Sequence, residues 1–177
     1  MLPRTIYEVL TVTYNPRSDI NNWLRIAEAD RDAFCLTKEY PCDRSIPLDR
    51  SRIDELIASI DPSAIQRFET QAALLERRWR ELETAVVKKI TEYLTMPFST
   101  MDARAALTTA YRMPYDLKDR WLMVPTHKPV ERQLAIIAHE LFHLYQLTDR
   151  PDTPRQKLET DVEAFIASLK PTFFHHL

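Results

Sequence analysis

The 177-residue chain contains no glycine, where ordinary usage would supply about twelve. That absence removes whole mechanisms. Phosphate-cradling loops of the GxGxxG and GxxxxGK[ST] kinds need glycine for tight turns and close backbone approach, and so does a GxSxG nucleophile elbow. Turns that require positive φ are left to Asn or Asp, or are avoided. Twelve prolines supply the breaks instead, so the expectation is a helix-rich protein with proline-defined boundaries. Cysteine is scarce as well. Cys35 and Cys42 stand seven residues apart with no histidine beside them, which argues against a metal site there. In a reducing cytoplasm both should be thiols, and a local disulfide would require export.

Long apolar runs are missing: no window approaches the roughly eighteen residues of a membrane span. The formal net charge is only −2, with basic residues spread among acidic ones, so neither nucleic acid nor a membrane is an expected partner. Met1 to Glu8 has no apolar core of a signal peptide, and the expected compartment is the cytoplasm. The length suits one domain with a real core. It divides into a helical N-terminal part over 1–100 and a second part, 101–177, that holds the chemistry.

Apolar periodicity sets the elements. Thr5 to Tyr14 reads as a strand closed by Asn15-Pro16, and Ser18 to about Tyr40 as a helix with Ile20, Trp23, Leu24, Ala27 and Phe34 on one side. Ser51-Arg52-Ile53-Asp54 resembles a capping box opening a short helix to Ile60. Asp61-Pro62 starts another, with Asp as N-cap and Pro in the first helical position. That helix should run to about Thr95. Its Ile65, Phe68, Ala72, Leu75, Trp79, Leu82 and Val86 alternate spacings of three and four, a coiled-coil-like seam that packs inside the monomer or, alternatively, makes a homodimer through the 62–95 helix. Ala106–Arg112 and Trp121–Val124 read as short strands. Thr153-Pro154-Arg155-Gln156 forms a capping box for a last helix that should stop before Pro171. The fold class expected is α+β, mostly helical, with a small sheet.

Between them lies the segment that carries chemistry, His139-Glu140-Leu141-Phe142-His143, inside an apolar run starting near Pro129 and ending near Thr148. On a helix, residues four apart sit one above the other, about 6 Å along the axis. Two imidazoles placed so can converge on one Zn²⁺, and the intervening glutamate can serve as general base. Ionisable groups in a buried helix are costly unless something satisfies them, and a metal satisfies all three. A catalytic zinc takes a third protein ligand. Glu159 and Glu163 are the candidates in the last helix, about 75° and 115° from the centre of its apolar face. Glu159 is thus nearer the core edge, and Glu163 is suited to hydrogen-bond a ligand histidine. Asp149 competes from six residues after His143, but Gln146 stands where the HExxHxxGxxH/D pattern needs glycine to bend the chain.

These residues resemble the zincin metallopeptidases, and within them the gluzincins. The match is complete over His139 to His143, and Glu159-Thr160-Asp161-Val162-Glu163 resembles the second gluzincin motif with Val162 where Ala is usual. The small size resembles minimal intracellular forms such as the ImmA/IrrE group, which cleave regulators. The resemblance covers about Trp121 to Leu169. It implies a minimal zincin-like domain with a long backing helix, an active-site helix and a C-terminal glutamate helix. Implied too are Zn²⁺ held by His139, His143 and Glu159, with Glu163 behind them or as the alternative ligand, and Trp121–Pro125 as an edge strand that pairs with extended peptide. Glu140 would take a proton from the attacking water and return it to the leaving amine. His127, Tyr111, Tyr115 and Tyr145 are candidates to stabilise the oxyanion, while His175 and His176 read as surface residues. The expected function is zinc-dependent hydrolysis of a peptide or protein substrate. The alternatives are a metal-binding regulator or adaptor of zincin fold with little turnover, and a helical interaction protein with a vestigial site.

Overall fold

The computed structural model describes residues 10–29, 40–95, 102–110 and 115–173. The first residues of the N-terminal strand, the far end of the helix expected to reach Tyr40, Cys35, Tyr111, His175 and His176 lie outside them. The protein has a mostly helical α+β fold. In chain order its elements are β1 (Leu10–Tyr14), α1 (Pro16–Ala29), a 3-10 turn (Arg50–Arg52), α2 (Ile53–Ala58), α3 (Pro62–Tyr93), β2 (Ala103–Thr108), β3 (Tyr115–Asp116), β4 (Trp121–Pro125), α4 (Val130–Asp149) and α5 (Arg155–Phe173).

Four strands form one sheet in the order β1-β2-β4-β3. β1, β2 and β4 are parallel and β3 runs antiparallel to β4. A strand from the first half of the chain thus shares a sheet with strands from the second. The register aligns Leu10 with Ala103, Val12 with Ala105 and Tyr14 with Leu107, then Ala105 with Leu122 and Leu107 with Val124. Because side chains alternate faces along a strand, these residues share one face, and all are buried in the main core with α3, α4 and α5. The other face carries Thr13, Arg104, Ala106 and Trp121. It is only partly covered by α1, whose Arg25 guanidinium lies 5.2 Å from the Trp121 ring centre, leaving a polar cavity of about 570 Å³. The edge expected at Trp121–Pro125 is covered only in part: the two-residue β3, too short for periodicity to reveal, pairs with Trp121 and Leu122, and among the described residues no strand pairs with Met123–Pro125 on that side.

Asn-Pro and Asp-Pro pairs start two helices by one device. Asn15 accepts from the Ser18 N–H at 3.1 Å, and Asp61 accepts from the Ser63 N–H at 2.9 Å. The first pair starts α1 two residues before the expected Ser18. The capping box at Ser51 is not made. Asp49 instead caps the 3-10 turn, accepting from both the Ser51 N–H and its hydroxyl, and α2 follows it from Arg52 with no side-chain cap. Thr153 likewise donates to the Arg150 carbonyl, and the Pro154 carbonyl accepts from the Lys157 and Leu158 N–H groups of α5. That helix runs through Pro171 to Phe173, since a missing N–H in a last turn breaks no long ladder.

The α3 seam is buried within the chain. Phe68, Ala72, Leu75, Trp79 and Val86 are all in the main core, with Ile65 and Leu82 packed against it. Two buried carboxylates then lock the layers. Glu83 of α3 accepts the Leu10 N–H at 2.7 Å and the Trp79 indole N–H at 3.0 Å, and pairs with Arg80 at 2.8 Å. Asp19 of α1, fully buried, accepts from the Thr108 hydroxyl, the Thr109 N–H and the Thr109 hydroxyl at 2.6, 2.9 and 2.7 Å. Neither carboxylate announces itself in the sequence, because each acts across more than seventy residues of chain. Among the described residues no helix is long and apolar enough to cross a membrane.

Without glycine, positive φ falls, among the described residues, on Thr95 (56°) and Arg120 (50°) rather than on Asn or Asp. Thr95 follows the α3 C-cap Leu94, and its N–H bonds the Glu92 carbonyl at 3.2 Å. That is the helix-closing position where glycine is preferred. A β-branched residue there carries a left-handed penalty of about 1–2 kcal/mol. Thr95→Gly should therefore raise unfolding free energy by about 1 kcal/mol in a urea titration; an unchanged or lower midpoint would contradict this. Asp19→Ala strands three donors at once and should cost about 3 kcal/mol by the same titration, clearly more than Asp43→Ala at an exposed turn.

Candidate metal centre

α4 contains the HExxH segment, and its environment explains its composition. Gln133, Leu134, Ile137, Ala138 and every residue from Glu140 to Leu147 are buried. The helix is enclosed by α3, β4 and α5. Its apolar contact with α5 is direct: the rings of Phe142 and Phe165 stack with centres 4.7 Å apart. Without a glycine at Gln146, α4 continues straight to Asp149, which is exposed and pairs with Arg150 at 3.2 Å.

The four-residue spacing turns His139 and His143 towards one another. Their rings are near perpendicular with centres 4.7 Å apart, and their Nε2 atoms are 3.1 Å apart. From α5, Glu159 brings Oε2 to 3.9 Å from His143 Nε2. One ligand atom from each of His139, His143 and Glu159 fits within 4.8 Å of the others. Ligand atoms around a four-coordinate zinc with bonds near 2.0–2.1 Å stand about 3.3 Å apart; two imidazoles and a carboxylate match such an ion in kind, the two Nε2 atoms stand near that spacing, and the Glu159 carboxylate stands further off. His143 is buried and Glu159 is half exposed, so the cluster opens to solvent along the α5 flank. Glu163, one turn further on, is exposed and reaches His139 through its charge.

Burial controls protonation. It lowers the His139 pKa, against the opposing pull of Glu159 and Glu163. His143 is pushed down to about 4, first by burial and then by the neighbouring His139. Both imidazoles are therefore neutral at pH 7, the form that donates a lone pair to a metal. The Glu140 carboxyl is raised to about 7, by burial first and by the Glu159 charge second. A carboxyl that titrates near neutrality is suited to take and return a proton.

The other sequence candidates separate. Tyr145 is fully buried in the main core, which removes it from the open side of the cluster. His127 is exposed beyond β4 and lines a different cavity of about 560 Å³ with Tyr40, Arg67 and Gln71. Tyr115 lies in β3, its backbone paired with Leu122. Sequence reasoning missed Asp161, which accepts from Gln146 Nε2 at 2.7 Å; only the three-dimensional crossing of α4 over α5 brings them together. Comparison with protein-family models, curated proteins and solved structures finds no match to this chain.

A pH test follows from Glu140. A folded pKa raised above the ordinary 4.5 means that its contribution to stability is fully present at low pH. That contribution is lost as pH rises towards 7. In protein stripped of metal by chelation, Glu140→Gln should gain about 3 kcal/mol relative to wild type between pH 4 and pH 8. Parallel stability curves in urea across that range would contradict the burial of this carboxyl.

Proposed function

We propose that this protein is a zinc-dependent peptidase of the gluzincin kind, acting on a peptide or protein substrate. The observation that carries the reading is the convergence of His139, His143 and Glu159 within 4.8 Å beside a buried Glu140. The residues of the HExxH segment are thereby joined by the carboxylate that the second motif supplies. His139 and His143 hold the ion from α4, and Glu159 from α5. A bound Zn²⁺ supplies a Lewis acid and brings the pKa of water near 7. Glu140, one residue after the first ligand, takes the proton of the attacking water and hands it to the departing amine. The half-exposed flank at Glu159 is the side from which a carbonyl group approaches. A reducing, cytoplasmic setting, in which Cys42 stays a buried thiol, goes with this reading.

Metal analysis of purified protein should find about one zinc per chain in wild type and little in His139→Ala. Equal zinc in the two would end the metal reading. Glu140→Gln should keep the zinc and lose peptide hydrolysis by roughly 10²–10⁴-fold, and a variant as active as wild type would remove the general base. Undiminished zinc with no hydrolysis of any peptide library by wild type would favour a metal-binding regulator over an enzyme.

A further inference from the structure

Glu159 is half exposed at the rim of the cluster, so it must be held in place opposite His143 from elsewhere on α5. Apolar contacts fix only part of the geometry. Leu158, Val162 and Phe165 are buried against the core, but smooth apolar surfaces permit a helix to roll or slide by a fraction of a turn. A directional contact is needed, and there is one. Gln146 of α4 is 1% exposed, and its amide nitrogen donates to Asp161 Oδ2 at 2.7 Å. A carboxylate only accepts, so the amide orientation is determined. Lys157, one turn back on α5, braces the same carboxylate, its ammonium 3.1 Å from Oδ1 and 3.0 Å from Oδ2.

The placement of this pair matters more than its strength. On α4, Gln146 lies three residues beyond His143 and seven beyond His139, on the same stripe of the helix. On α5, Asp161 is two residues from Glu159, about 160° away around the axis at 100° per residue. α4 therefore meets α5 on both flanks: through the imidazoles on the Glu159 side and through Gln146 on the Asp161 side. A helix gripped on opposite flanks can neither roll nor slide.

We infer that Gln146 and Asp161 are a positioning pair for the metal centre, their hydrogen bond fixing the rotation and height of α5 so that Glu159 faces His143. This rests on the reading of His139, His143 and Glu159 as metal ligands. Groups that orient ligands from behind characteristically alter metal affinity by about 10–100-fold when removed.

The test is zinc affinity of the full chain, measured by competition with a chromophoric chelator. Asp161→Ala should weaken binding about 10–100-fold. If the pair acts through Glu159, the same change made in a Glu159→Ala background should add less than about twofold, because coupled residues are not additive. A structural role alone would move both backgrounds equally. Gln146→Glu, which sets two carboxylates face to face, should weaken binding. The swap Gln146→Glu with Asp161→Asn restores one amide and one carboxylate and should recover most of it. The swap carries the same comparison should Asp161→Ala fail to fold. Wild-type affinity in Asp161→Ala, an equal loss with and without Glu159, or no recovery in the swap would overturn the positioning role while the metal centre stands. Wild type binding no more zinc than His139→Ala would instead remove the underlying reading, and this inference with it.

Discussion

The enclosure of α4 is the constraint on which the rest depends. A helix packed against α3, the sheet and α5 carries a buried imidazole and a buried carboxyl, His143 and Glu140, beside the half-buried His139. In such surroundings charge is expensive unless something compensates it. The consequences are visible in protonation, with both histidines held neutral and Glu140 titrating near 7. They are visible in architecture too. α3 and the buried face of the sheet form a rigid back wall for α4, and α5 closes the remaining side while bringing its own carboxylate to the cluster. The fold thus keeps the His139–His143 face of α4 beside the half-exposed Glu159.

Lack of glycine shapes the frame around that seam. Helices begin at Asn15-Pro16 and Asp61-Pro62, where a short polar side chain caps and proline presets φ. The end of α3 is closed by Thr95 in a left-handed conformation and by Arg150, whose guanidinium donates to the Leu94 carbonyl at 3.0 Å. Arg150 immediately follows α4. The end of the backing helix is therefore tied to the end of the helix that bears the histidines, and a strained turn persists because the surroundings hold it.

What was legible in the sequence was local or periodic. The histidine spacing, the long α3 seam and the Asp61-Pro62 start depend on residues within a few positions of each other, and each is found where periodicity places it. The ranking of Glu159 before Glu163 came from helical angle alone. Glu159 Oε2 lies 3.9 Å from His143 Nε2, and both Glu159 and Glu163 are exposed. The capping boxes at Ser51 and Thr153 are not made, because the Ser51 N–H and hydroxyl both go to Asp49 and the Thr153 N–H and hydroxyl both go to the Arg150 carbonyl. β3 escaped notice because two residues have no period. Asp19, Glu83 and Asp161 were invisible for a different reason: a buried carboxylate is understood only through partners distant in the chain, and a single sequence does not specify which helices cross.

The central claim is a centre built from two imidazoles of α4 and one carboxylate of α5, in a chain whose lone described thiol, Cys42, is buried in a separate cluster with α1 and α2. X-ray absorption spectroscopy of the zinc-loaded protein addresses it most directly. The account predicts nitrogen and oxygen scatterers at about 2.0–2.2 Å with the multiple-scattering signature of two imidazoles and no sulfur. A sulfur shell near 2.3 Å, or a spectrum fitted by fewer than two imidazoles, would contradict it.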